Sequence, residues 1–141
     1  MKIIAFSPFK HLEYVNKVLS TPISASTGGL IAIDSSGEPK GVVLLDNWAD
    51  NSVMGHIAIQ HPMAMRNLPF EALKYVFLTC NKGIFLGAIP ADNSESFKFH
   101  KHLGFSEMHR IEDGYALGID IILMQMRRED CRYIKKLQEV A

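Results

Sequence analysis

Three histidines, His56, His61 and His100, are the residues of this 141-residue chain best suited to proton chemistry. An imidazole with an ordinary pKa of about 6.5 can donate or accept a proton near neutral pH. None of the three has a carboxylate or cysteine partner at metal-ligand spacing, so no metal site is predicted. His56 follows Gly55, and a strand glycine is typical of a bulge or of close approach by a ligand. The pattern favours acid–base chemistry, with an ordinary structural role as the alternative for each histidine.

The composition indicates one globular domain with a full apolar core. Hydrophobic residues make up 48% of the chain, and Lys plus Arg and Asp plus Glu both total 15, so the formal charge is zero. A neutral chain argues against binding nucleic acid through a broad basic surface. Cys80 and Cys131 lie outside any Cys-x-x-Cys motif and are expected to be reduced core thiols. No apolar run approaches the roughly 20 residues that span a bilayer, and no signal segment is evident, so a cytoplasmic protein is expected.

Apolar patterning predicts an α/β domain whose strands and helices must position these histidines. Short apolar runs predict strands at residues 2–6, 29–34, 41–46, 52–59, 83–89, 105–111 and 119–126. Apolar residues at helical spacing predict helices from Ser7 to Leu19, from Leu68 or Pro69 to Cys80, from Asn93 to Leu103 and from Arg127 to Val140. The core-facing stripes of the first two helices are predicted to be Phe9, Leu12, Val15 and Leu19, and Phe70, Leu73, Phe77 and Cys80. His56 is thereby assigned to the fourth strand and His100 to the third helix.

Three connecting segments have loop or turn composition. Residues 20–29 are rich in Ser, Thr and Gly, which predicts a polar loop. Trp48, the single tryptophan, lies in the predicted turn of residues 47–51, where it either folds over the sheet edge or lines a substrate site. The last two strands are expected to be separated by a turn at residues 112–114, which contain Asp113 and Gly114.

The stretch from Asn93 to Phe105 has the pattern of a capped helix that ends at a glycine and turns into a strand. Asn93 or Ser94 can cap its start, and Gly104 can take the left-handed conformation that ends a helix. Ser96, Phe99 and Leu103 are expected to face the core, and Phe105 is expected to pack back on the last turn. The stretch resembles the closing motif of the GCN5-related N-acetyltransferases: Asn, two residues, Ala or Ser, two, Phe or Leu, Tyr, two, Leu-Gly-Phe. All thirteen positions align without a gap, and only the Tyr differs, being His100.

The predicted order of strands and helices also matches that family. The resemblance implies an α/β, acyl-coenzyme A N-acyltransferase fold over residues 1–127, with a central mixed, mostly antiparallel sheet flanked by helices. Residues 128–141 lie beyond the usual end of the fold. They are predicted to form an amphipathic helix, with Cys131, Ile134 and Leu137 on its apolar side, that packs on the domain or forms a homodimer contact.

The resemblance implies that acetyl-coenzyme A donates an acetyl group to an amine by direct attack. In the family a loop of Gln or Arg, two residues, Gly, one residue, then Gly or Ala cradles the pyrophosphate, because amides at a helix start bind anions. Arg66 matches the first position, but Pro69 and Glu71 replace the two small residues. The backbone of Ile57, Ala58 and Ile59 is expected at the thioester, the amides of Asn67, Leu68, Phe70 and Glu71 at the phosphates, and Asn93 and Phe99 beside the cofactor.

The family's proton donors and acceptors fall on histidines and aspartates here. His100 replaces the Tyr that often protonates the leaving thiolate, so the resemblance makes His100 the general acid. The fourth strand offers no carboxylate for the base, but it offers His56. Asp46 and Asp50, at strand ends beside Trp48, are the alternative bases.

Two other readings stay open alongside that of an acetyltransferase acting on a small-molecule or protein amine. The altered loop at Pro69 and Glu71 is compatible with an acetyltransferase fold that has become a binding or assembly module. A transferase acting on nucleic acid is the third reading, weakened by the zero net charge and supported by Lys98, Lys101, Lys135 and Lys136. The acceptor itself cannot be read from the residues, because one fold can host many substrates.

Overall fold

Residues 1–140 are described by a computed structural model, in which seven strands form one sheet. The strands are β1 (Lys2–Ala5), β2 (Gly28–Ile33), β3 (Pro39–Asp46), β4 (Ser52–Ile59), β5 (Ile84–Pro90), β6 (Ser106–Ala116) and β7 (Ile119–Arg127). They lie in the order β1-β2-β3-β4-β5-β7-β6, and within this described part the β4–β5 pair is parallel while every other pair is antiparallel. The mixed, mostly antiparallel sheet predicted from the sequence is confirmed.

Helices cover both faces of the sheet. They are α1 (Pro8–Val18), α2 (Pro62–Lys74), α3 (Ser94–Leu103) and α4 (Arg132–Val140), and a π-helical turn (Tyr75–Thr79) extends α2. Buried Val15 of α1 packs in a cluster with Ile31 and Leu44 of the sheet. The larger cluster, on the opposite face, joins α2 and α4 to the sheet through residues such as Leu68 and Ile134. None of the helices among residues 1–140 is long and apolar enough to cross a membrane.

The sheet opens between β4 and β5. These strands pair only where Ser52–Met54 meets Ile84–Leu86. Beyond that point β4 continues along β3, and β5 continues along β7. Gly55 lies immediately past the last pair, in regular register with β3. A Cβ atom on Gly55 would lie 2.5 Å from the Phe85 ring, so the glycine permits close packing of Phe85 and does not form a bulge.

The predicted buried stripe of α1 is wrong at two of its positions. Phe9 is 99% exposed and Leu12 is 44% exposed, whereas His11 and Val15 are buried. His11 turns inward because its Nδ1 accepts a hydrogen bond from the Ser7 amide at 2.9 Å. The buried face of α1 thus carries His11 and Val15, four residues apart, rather than Phe9 and Leu12.

The predicted start of the second helix at Leu68 or Pro69 is also wrong. The helix begins at Pro62, and the side chain of His61 caps it by accepting a hydrogen bond from the Met63 amide at 3.1 Å. Pro69 lies buried inside the helix instead of in its first turn. A proline there cannot donate to the carbonyl of Met65 four residues earlier, but it does not end the helix.

The end of the chain differs from the prediction in the β6–β7 turn. β6 continues through residues 112–114 to Ala116, with irregular pairing after Ile111, and the turn falls at Leu117–Gly118. α4 packs on α2, where the Phe70 and Tyr133 rings lie 5.0 Å apart. Two cysteines are free among the described residues, Cys131 buried and Cys80 partly buried.

Candidate active site

His56 and Asp46 form a hydrogen-bonded pair on the face of the sheet that α1 partly covers. His56 on β4 lies opposite Leu44 on β3, and Asp46 lies two residues further along β3, so both side chains emerge on the same face. His56 Nε2 and Asp46 Oδ1 are 2.9 Å apart, and the two side chains are 21% and 19% exposed. A carboxylate can only accept, so Nε2–H donates and the lone pair of neutral His56 lies on Nδ1. The sequence offered these residues as separate candidates, and the structure joins them.

An open cleft of about 820 Å³ lies beside this pair. Its walls are the loop of residues 20–27, the β3–β4 turn and the ends of β5, β6 and β7. The lining residues are Ser20, Thr21, Pro22, Ser24, Ser26, Thr27, Asp46, Asn47, Trp48, His56, Ala88, Pro90, Gly114, Tyr115 and Ile121. The indole N–H of Trp48 donates to the Ser26 carbonyl at 2.9 Å, which ties the turn to the loop. Trp48 therefore forms part of the wall of the cleft.

An inner branch of about 370 Å³ runs from His56 into the opening between β4 and β5. It is bordered by Gly55 and Ile57 on one side and by residues 88–90 on the other, and it ends at His100 on α3. His56 lines both the outer cleft and this branch. It therefore stands at the point where a molecule in the outer cleft could meet one threaded between the two strands.

His100 is buried, so the alternative of a surface histidine is wrong. It is 9% exposed, and its Nδ1–H donates to the Ser96 carbonyl at 2.7 Å. Its other ring nitrogen, Nε2, lies 3.7 Å from the position that a Cβ atom on Gly87 of β5 would take. Burial lowers the pKa of His100 below its usual value, and the hydrogen bond to Ser96 offsets only part of this effect. His100 is consequently neutral near pH 7, which works against a role as a general acid.

The predicted phosphate-binding amides do not form a free cluster. The amides of Asn67, Leu68, Phe70 and Glu71 lie in the interior of α2, where backbone amides bond to carbonyls within the helix. The geometric basis of that prediction is therefore wrong, because α2 starts earlier than expected. At the true helix start, Pro62 has no N–H and the Met63 amide is occupied by His61.

Arg66 and Glu71 are the two charged residues of α2 that were expected in the pyrophosphate loop. Arg66 is exposed on α2. Glu71 lines a shallow pocket beside Ile3 and Lys74, away from the opening between β4 and β5. The Glu71 side chain therefore does not face the opening between β4 and β5.

The free edge of β4 is where the structure retains binding groups for an extended ligand. Past Met54, no strand among residues 1–140 pairs with β4 on its β5 side, so alternate backbone groups along Ile57, Ala58 and Ile59 are left without a strand partner on that edge. Phe99 borders a small apolar pocket beside this edge, together with Ile57.

The remaining predicted residues separate into those at the site and those outside it. Asn93 borders the inner branch and caps α3, its Oδ1 accepting from the Ser96 amide at 3.1 Å. Asp50 does not line the cleft, and its carbonyl accepts from Lys82 Nζ at 3.1 Å. Within residues 1–140 no group of three His, Cys, Asp or Glu side chains is arranged to hold a metal ion.

Sequence reasoning missed several residues of the cleft wall. Tyr115 was missed because β6 was expected to end at Ile111, five residues short of its true end. Asn47 takes a left-handed backbone conformation, with φ of 49°, at the start of the turn that presents Trp48. The signal available for this wall was the hydroxyl-rich composition of residues 20–29.

Comparison with solved structures identifies the fold. The chain superposes on a spermidine N-acetyltransferase SpeG chimera from Vibrio cholerae and hSSAT with a TM-score of 0.78 and 17% identity, covering 95% of this chain and 99% of that one. The spermidine/spermine N-acetyltransferase SpeG from Vibrio cholerae, crystallised in complex with manganese ions, matches with a TM-score of 0.77 and 15% identity over 99% and 96% of the two chains. A dodecameric spermidine N-acetyltransferase from Vibrio cholerae matches at 0.68 and 18%, over 86% and 71%. No protein-family model matches this sequence, and no curated protein matches it. The chain thus has the fold of the GCN5-related N-acetyltransferases.

Proposed function

We propose that this protein transfers an acetyl group from acetyl-coenzyme A to a primary amine held in the cleft beside His56. The observation that carries the proposal is the Asp46–His56 pair, which lies where the outer cleft meets the opening between β4 and β5. The acetyltransferase fold supports it. The structural neighbours are named for spermidine, and the proposal adopts only the amine from that name.

His56 acts as the general base in this proposal. An alkylamine with a pKa of about 10 is almost entirely an unreactive ammonium at neutral pH, so a proton must be removed before attack. The Nδ1 lone pair of His56 takes that proton. The Asp46 carboxylate, 2.9 Å from Nε2, holds the ring in the required tautomer and stabilises the positive charge that it gains.

The thioester supplies an acyl group already activated for transfer to the amine. The free edge of β4 along Ile57–Ile59 suits the amide groups of a pantetheine arm, which can pair with it as a short strand would. An unpaired amide on that edge would stabilise negative charge on the carbonyl oxygen during attack. The start of α2 suits the nucleotide of coenzyme A less well than the edge of β4 suits the pantetheine arm. Pro62 has no N–H and His61 occupies the Met63 amide, so few amides remain to bind the phosphates. We therefore propose that the pantetheine arm contributes most of the donor's binding energy.

His100 has a secondary place in the proposal. The expectation that it protonates the leaving thiolate stays a prediction, and its lowered pKa works against it near pH 7. A thiolate needs less help than the amine, because a thiol has an ordinary pKa of about 8.5 and takes its proton readily from solvent. Removing the proton from the ammonium is therefore the step for which the site supplies a dedicated group.

The test is an assay for amine-dependent release of thiol from acetyl-coenzyme A, with the acetylated amine identified by mass spectrometry. A panel of primary amines should include one or more that raise thiol release above the amine-free rate. If no amine in the panel does so and titration calorimetry detects no binding of acetyl-coenzyme A at millimolar concentration, the proposal fails.

The second candidate function is a binding or assembly module that retains the fold without the reaction. The closed start of α2, with its capped Met63 amide, is the observation that favours it. An intact, solvent-accessible Asp46–His56 pair argues against it, since a module has no need of an oriented base. Loss of amine-dependent thiol release on changing His56 would exclude the module.

A further inference from the structure

We propose that the acceptor is a primary amine with a single positive charge on a hydroxylated body, of the kind found in amino sugars, and that a polyamine is a poor acceptor. This assignment rests on the proposed acetyl transfer at His56 and names the class of amine that the site takes. Three features of the outer cleft support it: the scarcity of negative charge in the cleft, the positive charge at its rim and the hydroxyl and aromatic groups of its walls.

The first feature is the scarcity of negative charge. Asp46 is the single carboxylate among the described residues that line the outer cleft or its inner branch, and it is already engaged by His56. Two acids of the nearby β6–β7 hairpin are engaged within the hairpin: Asp113 accepts from the Gly118 amide at 2.7 Å, and Asp120 accepts from the Asp113 amide at 3.1 Å. One ammonium can be matched by the Asp46–His56 pair, but further ammonium groups of a polyamine would lie in the cleft without partners.

The second feature is a fixed positive charge at the rim. Lys82 Nζ lies 5.8 Å from the centre of the Trp48 ring system. Its position is set by hydrogen bonds to the carbonyls of Ala49 at 2.6 Å and Asp50 at 3.1 Å. If a second ammonium group of a bound polyamine reached outward past Trp48, it would therefore approach the ammonium group of Lys82, and the two like charges would repel.

The third feature is the hydroxyl-rich wall. Ser20, Thr21, Ser24, Ser26 and Thr27 line one side of the cleft. A hydroxyl both donates and accepts, so this wall can match the mixed donors and acceptors of a polyhydroxylated ligand. The loop is held in place, since the Ser24 amide donates to Thr27 Oγ1 at 3.0 Å and the Ser26 carbonyl accepts from Trp48.

Aromatic groups complement the hydroxyls. Trp48 and Tyr115 border the cleft with 38% and 51% of their surfaces exposed. Each offers apolar surface together with a polar tip, and sugars present both C–H and O–H groups. The combination suits a compact hydroxylated ring better than a long, multiply charged chain.

The binding test uses Trp48, the single tryptophan of the chain, as a built-in reporter. Its fluorescence is followed while glucosamine or spermidine is added to the protein at neutral pH. Glucosamine should change the emission with an affinity at least about tenfold higher than that of spermidine, because the additional ammonium groups of spermidine stay unpaired. Equal or tighter binding of spermidine would overturn the assignment.

A charge-adding variant makes the test specific. Asn47→Asp places a second carboxylate in the cleft, at a left-handed position that Asp also tolerates. It should raise the affinity for spermidine about two- to fivefold, the usual worth of an exposed ion pair, and leave that for glucosamine nearly unchanged. The matched control is Asn16→Asp on the exposed side of α1, which makes the same charge change outside the cleft and should alter neither affinity. Equal effects of the two variants would contradict a role for charge within the cleft.

The transfer assay separates the two levels of the proposal. Amine-dependent thiol release that favours spermidine over glucosamine would remove the acceptor assignment and keep the acetyltransferase. Tighter binding of glucosamine without transfer to any amine would keep the ligand class and remove the proposed reaction.

Discussion

The halves of the cleft that we propose for the acceptor and for the donor are built to different degrees. The half proposed for the acceptor, formed by residues 20–27, Asp46, Trp48 and His56, has a hydrogen-bonded Asp46–His56 pair and a wall tied together by hydrogen bonds. The half proposed for the donor is formed by the edge of β4 past Met54, which is free, and by the start of α2. The first two positions of α2 offer no free amide, because Pro62 has no N–H and the Met63 amide donates to His61.

The difference shows that the two halves of such a site depend on different parts of the sequence. The Asp46–His56 pair follows from the register of β3 against β4. His56 lies opposite Leu44, and Asp46 is two residues further along β3, so both side chains lie on the same face of the sheet. The phosphate cradle depends on where a helix starts, because only amides of the first turn are free. Here Pro62 and the capping His61 change the helix start, while the register of β3 against β4 stays regular.

The largest expected effect concerns the acceptor half. His56→Gln removes the lone pair that accepts the proton and keeps a polar side chain of similar size. We expect kcat for acetyl transfer to fall about 10²- to 10⁴-fold, the usual contribution of a positioned base. The measurement is the turnover number at saturating acetyl-coenzyme A and amine. His109→Gln, on exposed β6, is the matched control and should keep the wild-type rate; a His56→Gln rate within about threefold of wild type would rule out His56 as the base.

A smaller effect is expected when the base is kept and its partner is changed. In Asp46→Asn the amide oxygen can still accept from His56 Nε2–H, but it carries no negative charge to stabilise the proton that Nδ1 gains. We expect kcat to fall about 10- to 100-fold, because a charge-assisted hydrogen bond is worth about 1.5–3 kcal/mol. Because Asp46 acts through His56, adding Asp46→Asn to His56→Gln should cause little further loss. Multiplicative losses in the double variant would show that Asp46 acts independently.

The smallest effect concerns stability at the buried end of the inner branch. Burial lowers the pKa of His100 in the folded protein, so below the unfolded value of about 6.5 the unfolded chain binds a proton that the folded chain does not. Stability is therefore complete above that pH and is lost as pH falls, by at most about 1.4 kcal/mol per pH unit for one group. His100→Asn keeps a donor for the Ser96 carbonyl and should flatten the fall in melting temperature between pH 7 and 5.

His102→Asn provides the control for that experiment, since it removes an exposed histidine from the same helix. Its melting temperature should follow pH as the wild type does. Burial also lowers the pKa of His11, so part of the pH dependence of the melting temperature remains in both variants. Identical pH profiles for His100→Asn and wild type would contradict the account.

Local signals were sufficient to predict the helix that carries His100. Asn93 caps α3, Gly104 ends it with a φ of 116°, and Phe105 is buried at 5% exposure, as expected. Each of these features depends on residues only a few positions apart. The inner strands of the sheet were likewise predictable, because β2, β3, β5 and β7 have apolar runs.

The features that were missed depend on longer-range or competing signals. The Asp46–His56 bond requires the register of β3 against β4, which no local pattern gives. Pro69 is typical of a first helical turn, but His61 and Pro62 provide an earlier cap and start that compete with it. Phe9 was expected to be buried from its spacing, whereas it is exposed and His11 is buried.

The contrast between the two halves of the cleft is tested most directly by replacing acetyl-coenzyme A with a shorter acyl donor. The specificity constant kcat/KM is measured with acetyl-coenzyme A and with S-acetylpantetheine, which lacks the nucleotide, using one acceptor amine. Two charge-assisted hydrogen bonds from helix amides to a pyrophosphate would be worth about 3–6 kcal/mol, or about 10²- to 10⁴-fold. Because α2 begins at Pro62 with its first free amide capped, we expect the two donors to differ by less than about tenfold. A loss of about 100-fold or more with S-acetylpantetheine would show that the nucleotide is held tightly and would contradict the account.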